Sequence, residues 1–256
     1  LIVVEENRTY GMVIGSASMP YLNSLAQTYG LATNYYANTH PSIGNYFELT
    51  TGQVVTNDQS FQGTVTQDNV VRELVAAGKT WKCYAESLPS AGYLGKGTPP
   101  YDQGHNPFVF FSDVQSNPAQ QQNIVPFTQF ALDLQSSQLP QYSFIIPNDV
   151  NDGHNSDSSV VDAWLKTNIA PLVADPNFQK DGLLIITYDE SLDSDIVNGG
   201  GHIATVIISP KAKPAYQSTT LYQHQSVVRL MLEGLGVPVL PGGAATAPDM
   251  QEFFNP

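Results

Sequence analysis

Five short apolar runs limit what this chain can fold into: Leu1–Val4, Trp81–Ala85, Tyr142–Ile146, Leu183–Tyr188 and Ile203–Ile208. They are mostly continuous rather than alternating, the pattern of strands in a sheet covered on both faces. Between them the apolar spacing turns helical. Tyr21–Tyr29 puts Leu22, Leu25 and Ala26 on one side, and Asn69–Ala77 does the same with Val70, Val71, Leu74 and Val75 before a stop at Gly78. Val160–Val173 and Ser226–Leu235 repeat the pattern, the second ending at Gly236 with Pro238 just beyond. Strands alternating with helices predict an α/β fold, a doubly wound and mostly parallel sheet with helices on both faces. Ser87–Asn106 reads as a long loop over a sheet edge and Pro238–Pro256 as an irregular tail. No change in composition marks a boundary, so residues 1–256 are expected to form a single domain.

The charge balance removes several function classes. With 10 Lys+Arg against 23 Asp+Glu the net charge is −13, and no cluster of cations is present to displace counterions from nucleic acid or to dock on anionic lipid. No apolar run approaches the roughly 20 residues that cross a bilayer, so membrane insertion is not expected. The opening Leu1-Ile2-Val3-Val4 is too short for the apolar part of a signal peptide and reads as a strand behind a removed N-terminal segment. Only 13% of residues are charged, and Asn, Gln, Ser, Thr and Tyr carry most of the polar load, which suits an acidic exterior. The single Cys83, in Trp81-Lys82-Cys83-Tyr84, is expected to be a buried structural thiol.

The position of the acidic residues relative to the strands is the functional clue. Glu5-Glu6-Asn7 follows the first strand, Pro147-Asn148-Asp149 follows Tyr142–Ile146 with Asp152, His154 and Asp157 close behind, and Asp189-Glu190 follows Leu183–Tyr188. Open parallel sheets bind ligands beyond the carboxyl ends of their strands. Three strands would therefore deliver carboxylates to one rim, where they repel unless a cation lies between them. Oxygen donors favour Ca²⁺ or Mg²⁺, and the histidines leave Zn²⁺ open. Glu5 would point away from Glu6, as a solvent-facing or supporting carboxylate. A second signal is His40-Pro41-Ser42-Ile43-Gly44-Asn45-Tyr46-Phe47-Glu48-Leu49-Thr50-Thr51-Gly52. A Ser at the start of such a helix sits where backbone N–H groups favour an anion, and a neighbouring cation would activate its hydroxyl. Neither a Gly-x-Ser-x-Gly elbow nor a P-loop or dinucleotide-type glycine pattern occurs.

Taken together, Val3–Tyr10, His40–Gly52, Gly104–Phe108, Pro147–Asp157, Ile186–Glu190, Ile208–Pro210 and His224–Gly236 resemble, in order, the bacterial acid phosphatase and phospholipase C family of the alkaline-phosphatase-like superfamily. The resemblance implies an alkaline-phosphatase-like core and a secreted or periplasmic, metal-dependent phosphoesterase acting on small phosphate esters. Phosphate monoesters lead; a phosphodiesterase or phospholipase C on the same core, or a surface protein that has lost the chemistry, are the alternatives. It further implies Glu6 and Asn7 as one metal-ligand pair, Asp189 and Glu190 as the other, and Ser42 as the nucleophile that also touches the metal. Asn45 would hold a phosphate oxygen, His105 and His202 would bind phosphate, and His154 would protonate the leaving group, a role His105 shares as a candidate. Asp149, His154 and His202 are the donors for a second ion, should there be one. His40 and His224 are assigned structural roles. After Asp189-Glu190 the chain runs Ser191-Leu192-Asp193-Ser194-Asp195, departing from the glycine-rich continuation of the family.

Overall fold

The structure, a computed structural model, describes residues 1–255. Eight strands form one sheet: β1 (Ile2–Glu5), β2 (Gly30–Ala32), β3 (Trp81–Ala85), β4 (Ile124–Pro126), β5 (Tyr142–Ile146), β6 (Leu184–Tyr188), β7 (Thr205–Ile208) and β8 (Gln217–Ser218). Their order is β4-β3-β5-β1-β6-β7-β2-β8. Neighbours pair in parallel except that β7 runs antiparallel to both β6 and β2. Every residue of β1, β5, β6 and β7 is buried, which is why these strands read as unbroken apolar runs. The three strands expected to carry acidic residues are adjacent in the order β5-β1-β6.

Helices cover the sheet in two packed groups. Helix Ser42–Thr51 packs with helix His224–Gly234, which also meets helix Val70–Ala76. In the other group, helix Pro20–Thr28 packs on helix Ser158–Asn168. Helix Thr128–Gln135 lies against β3 and β4.

Three expectations change. The helical pattern over Val160–Val173 is broken: one helix ends at Asn168, and a separate turn, Ala170–Val173, starts around Pro171, whose missing N–H is harmless only in a first turn. β2, β4 and β8, each three residues or fewer, are too short to show a period. Glu5 faces no solvent. It is wholly buried, neither carboxylate oxygen has a hydrogen-bond partner, and burial, with Asp152 and Glu86 adding to it, raises it well above the ordinary carboxylate range.

All ten residues of helix Ser42–Thr51 are buried. Its last turn closes on Gly52, left-handed at φ 67°, where a β-carbon would collide with the Pro241 carbonyl. Burying this helix on every side also buries Glu48, which burial raises to about 7. A carboxyl raised in the folded state binds its proton more tightly than the unfolded chain does. Its contribution is therefore favourable below about 4.5 and is lost as the pH rises to about 7. Glu48→Gln is expected to flatten the fall in melting temperature between pH 4.5 and pH 7, raising Tm at pH 8 while changing it little at pH 4.5. Thermal denaturation at the three pH values measures this.

Candidate active site

The register of β1 on β6 places Glu5 opposite Tyr188, so the next residues of the two chains, Glu6 and Asp189, leave the sheet side by side. Backbone bonds fix the rim: Asp189 N–H donates to Glu5 O (2.8 Å), and Glu6 N–H donates to Asp152 O (2.9 Å), from the loop after β5. Asn7 has φ 52°, a left-handed backbone that Asn adopts more readily than most residues. The turn brings Asn7 N–H to Asp189 Oδ1 at 3.3 Å. Arg8, next in the chain, is spent on carbonyls, donating to Asn7 O (2.9 Å) and Gly153 O (2.8 Å).

Ser42 is the first residue of its helix, behind Pro41. Its Oγ donates to Glu6 Oε2 at 3.2 Å and lies close enough to Asp189 and Glu190 to favour their charged forms. One hydroxyl proton cannot serve three carboxylates. Four residues on, one helical turn along the same face, Tyr46 OH donates to Glu6 Oε1 at 2.8 Å. Asn45 is fully engaged. Its Oδ1 accepts from Asn38 N (3.0 Å) and Thr39 N (3.2 Å), while Nδ2 donates to Thr39 O (2.8 Å) and Glu190 Oε2 (3.2 Å). At Gly44 a β-carbon would meet the side chains of Asn57 and Thr39, which would have to shift to admit it.

The histidines separate by position. His105 is buried among carboxylates, with Nε2 3.4 Å from Glu6 Oε1 and Nδ1 3.6 Å from Asp152 Oδ2 and 3.8 Å from Asp149 Oδ1. Burial alone would lower its pKa, but Glu6 and Asp152 outweigh that and raise it well above the usual histidine value. His154 is exposed beside it, ring centroids 6.0 Å apart, and its backbone N–H donates to Asp152 Oδ1 (2.7 Å). His202 stands apart from these carboxylates. It is stacked between Tyr10 (4.4 Å) and Tyr36 (4.9 Å) and donates through Nε2 to Thr33 O (3.0 Å). The structure therefore brings together Glu6, Asn7, Ser42, Asn45, His105, Asp189 and Glu190, with His154 at the edge.

Two supporting residues had little sequence signal. Tyr46 is detectable only by its one-turn spacing from Ser42. His224 is wholly buried, as its structural reading expects, and its Nε2 donates to the Asp189 carbonyl at 2.7 Å. Burial lowers it to about 4, so near neutral pH it acts as an uncharged brace beneath Asp189. Tyr35 and Tyr101, from loop segments, are core.

The electrostatics fit a divalent cation. Burial raises Glu6 well above the ordinary range, with Asp189 adding to it; burial also raises Asp189, and burial with Asp189 and Asp193 takes Glu190 to about 9. Among the described residues no Lys or Arg pairs with these carboxylates, His105 reaches only Glu6 of the three, and Asp189 Oδ2 is buried without a hydrogen-bond partner. Oxygen donors converging with so little compensating charge suit a hard metal ion.

A model of the phosphoesterase family matches residues 5–238. The chain belongs to that family. Relatives within the family's reach include a probable acid phosphatase of Kluyveromyces lactis, 32% identical over 234 residues, 88% of this chain and 55% of that protein. Phosphatidylinositol-3-phosphatase of Mycobacterium tuberculosis is 32% identical over 259 residues, 100% of this chain and 82% of that protein. The chain thus spans about half the length of the fungal relative. A member of the alkaline phosphatase superfamily from Vibrio parahaemolyticus superposes with a TM-score of 0.63 at 13% identity, over 98% of this chain and 71% of its own, a likeness of fold that bears out the expected core.

The raised carboxyls make a prediction with a definite sign. The metal-free fold holds protons that the unfolded chain releases near pH 4.5, so its stability falls as pH rises toward about 9. A divalent cation that replaces those protons stabilises most at high pH, by about 2.7 kcal/mol at 100-fold excess over Kd. Melting curves with chelator and with added Ca²⁺, Mg²⁺ or Zn²⁺ are expected to differ clearly at pH 8 and little at pH 5.

Proposed function

We propose that this chain, acting as a single domain, hydrolyses phosphate monoesters with Ser42 as nucleophile, as an acid phosphatase of the phosphoesterase family. The observation that carries the reading is the position of Ser42 Oγ, at the N-terminus of a buried helix and 3.2 Å from Glu6 Oε2, beside Asp189 and Glu190. The two relatives named above, a probable acid phosphatase and a phosphatidylinositol-3-phosphatase, are in keeping with it.

Glu6, Asn7, Asp189 and Glu190, with Ser42, would hold a divalent ion, which when bound lowers the pKa of the hydroxyl and offsets charge on the phosphoryl oxygens. Ser42 Oγ attacks phosphorus in line while its proton leaves toward Glu6 Oε2. The bond to the leaving oxygen breaks, and His154 supplies that oxygen's proton. Water then attacks the phosphoserine, passing a proton to His154, and the Oγ–P bond breaks as Oγ takes back the proton held at Glu6. The buried imidazolium of His105, held by Glu6 and Asp152, and the first-turn N–H groups of the Ser42 helix bind the equatorial oxygens. Asn45 contributes by holding Glu190 and the Asn38–Thr39 backbone; to grip a phosphate oxygen as well, its Nδ2 would exchange one of its present acceptors. The first step needs a protonated histidine, so turnover favours acidic pH. A secreted or periplasmic setting, with its uncharged polar surface in an acidic exterior, is part of the same reading.

Hydrolysis of p-nitrophenyl phosphate between pH 4 and pH 8 is expected to fall by more than about 10³-fold in Ser42→Ala. Chelator should abolish it and added metal restore it. Turnover of bis-(p-nitrophenyl) phosphate alone would select the phosphodiesterase or phospholipase C alternative. No turnover of either ester with any metal would leave a surface protein that keeps the fold without the chemistry.

A further inference from the structure

The segment Ser191–Gly201, whose opening Ser191–Asp195 departs from the family pattern, is a closed and pinned loop. Ser191 N–H donates to Gly200 O (2.9 Å), joining its ends. Gly199 and Gly200 lie so close to the Asn38 and Thr39 carbonyls that a β-carbon at either position would overlap them. Inside the loop, the Asp195 carboxylate accepts from Ser191 Oγ (3.2 Å) and His202 N (2.9 Å). These contacts hold the Asp195 carbonyl still, and His40 Nε2 donates to it at 3.0 Å.

That bond decides the tautomer of a neutral His40. A carbonyl oxygen only accepts, so the hydrogen is on Nε2 and Nδ1 keeps its lone pair. Nδ1 is buried, makes no hydrogen bond among the described residues, and faces Glu190 Oε2 at 3.2 Å and Asp193 Oδ1 at 3.9 Å. The three atoms lie within 4.8 Å of one another. A histidine whose far nitrogen is fixed by a backbone carbonyl, with its near nitrogen bare toward carboxylates, has the arrangement of a metal-ligating imidazole. Asp193 is almost fully exposed, at 95%, and is free to close onto an ion.

We propose that His40 Nδ1, Glu190 Oε2 and Asp193 Oδ1 form a second divalent-cation position at the edge of the site, with Glu190 bridging to the first. The donor set of one imidazole and two carboxylates, half open to solvent, suits a borderline ion such as Zn²⁺. This position uses none of Asp149, His154 or His202, the donors the sequence offers for a second ion. It depends on the phosphoesterase reading only in sharing Glu190, and it requires no turnover.

The test is Zn²⁺ titration of the chelator-stripped protein by calorimetry, with Co²⁺ visible absorption as a second readout. Wild type is expected to bind two equivalents, and His40→Gln one. Asp193→Asn should bind the second at least tenfold more weakly. The equivalent retained by His40→Gln, together with an unchanged circular dichroism spectrum, shows that this variant is folded. One equivalent in wild type, or two in His40→Gln, overturns the proposal and leaves His40 and Glu190 as an ion pair. Two equivalents lost one at a time as described, in a protein that cleaves no phosphate ester, would sink the proposed function and leave this site standing.

Discussion

The parallel pairing of β1 with β6 is the constraint from which the rest of the site follows. Because Glu5 stands opposite Tyr188, the chains emerge with Glu6 and Asp189 in step. A slip of one residue would turn Glu6 back into the sheet and bring Glu5 to the rim. Nothing local favours the arrangement, since it crowds carboxylates that no Lys or Arg pairs with among the described residues. The hydrophobic sheet imposes it: each strand is buried along its whole length, at roughly 1.5–3 kcal/mol per large aliphatic side chain. The core fixes the register, and the register crowds oxygen donors at a point where a cation would relieve them. Such a site is stabilised by the remainder of the fold and in turn selects what binds to it.

The helix carrying Ser42 makes the opposite compromise. A surface helix tolerates polar residues on one side, but Ser42–Thr51 is buried on all sides, and its polar groups must find partners internally. Tyr46 bonds Glu6, Asn45 bonds Glu190 and the Asn38–Thr39 backbone, and Thr50 and Thr51 donate back to helix carbonyls. Glu48 keeps a carboxyl that burial raises to about 7, a cost the helix carries. The same immersion holds the serine steady. A serine at the end of an exposed helix would fray, whereas Ser42 begins behind Pro41 with its second turn in the core.

Much of this was legible in the sequence, for identifiable reasons. The central strands show because burial on both faces leaves unbroken apolar runs, and acidic residues directly after such runs must lie at the carboxyl rim of a parallel sheet. Ser42 shows through its position before a helix, and Glu6, Asn7, Asp189 and Glu190 through a resemblance that the family match bears out. What stayed hidden depends on distant pairing. Glu5 reads as solvent-facing or supporting because alternation tells which face a residue takes, not what covers that face; here it is buried close to Asp152 and Glu86. β2 and β8 are recognisable only by their partners. His224, 35 residues from Asp189, has no sequence sign that it braces that carbonyl.

The histidines show why counting donors is a weaker guide than following their hydrogen bonds. His202 follows the acidic loop and sits near family motifs, yet two tyrosines and the Thr33 carbonyl occupy its ring. His40 looks like part of a turn, yet a backbone carbonyl holds one nitrogen and leaves the other facing Glu190. His105 carries its charge because carboxylates surround it, and His224 is neutral because apolar packing does. The residue type is constant across the four, and what each can do is decided by whether its neighbours accept a proton, supply one or exclude water. What a histidine at this rim can do is therefore decided by the acceptor behind it, and for His40 that acceptor is set by the loop Ser191–Gly201.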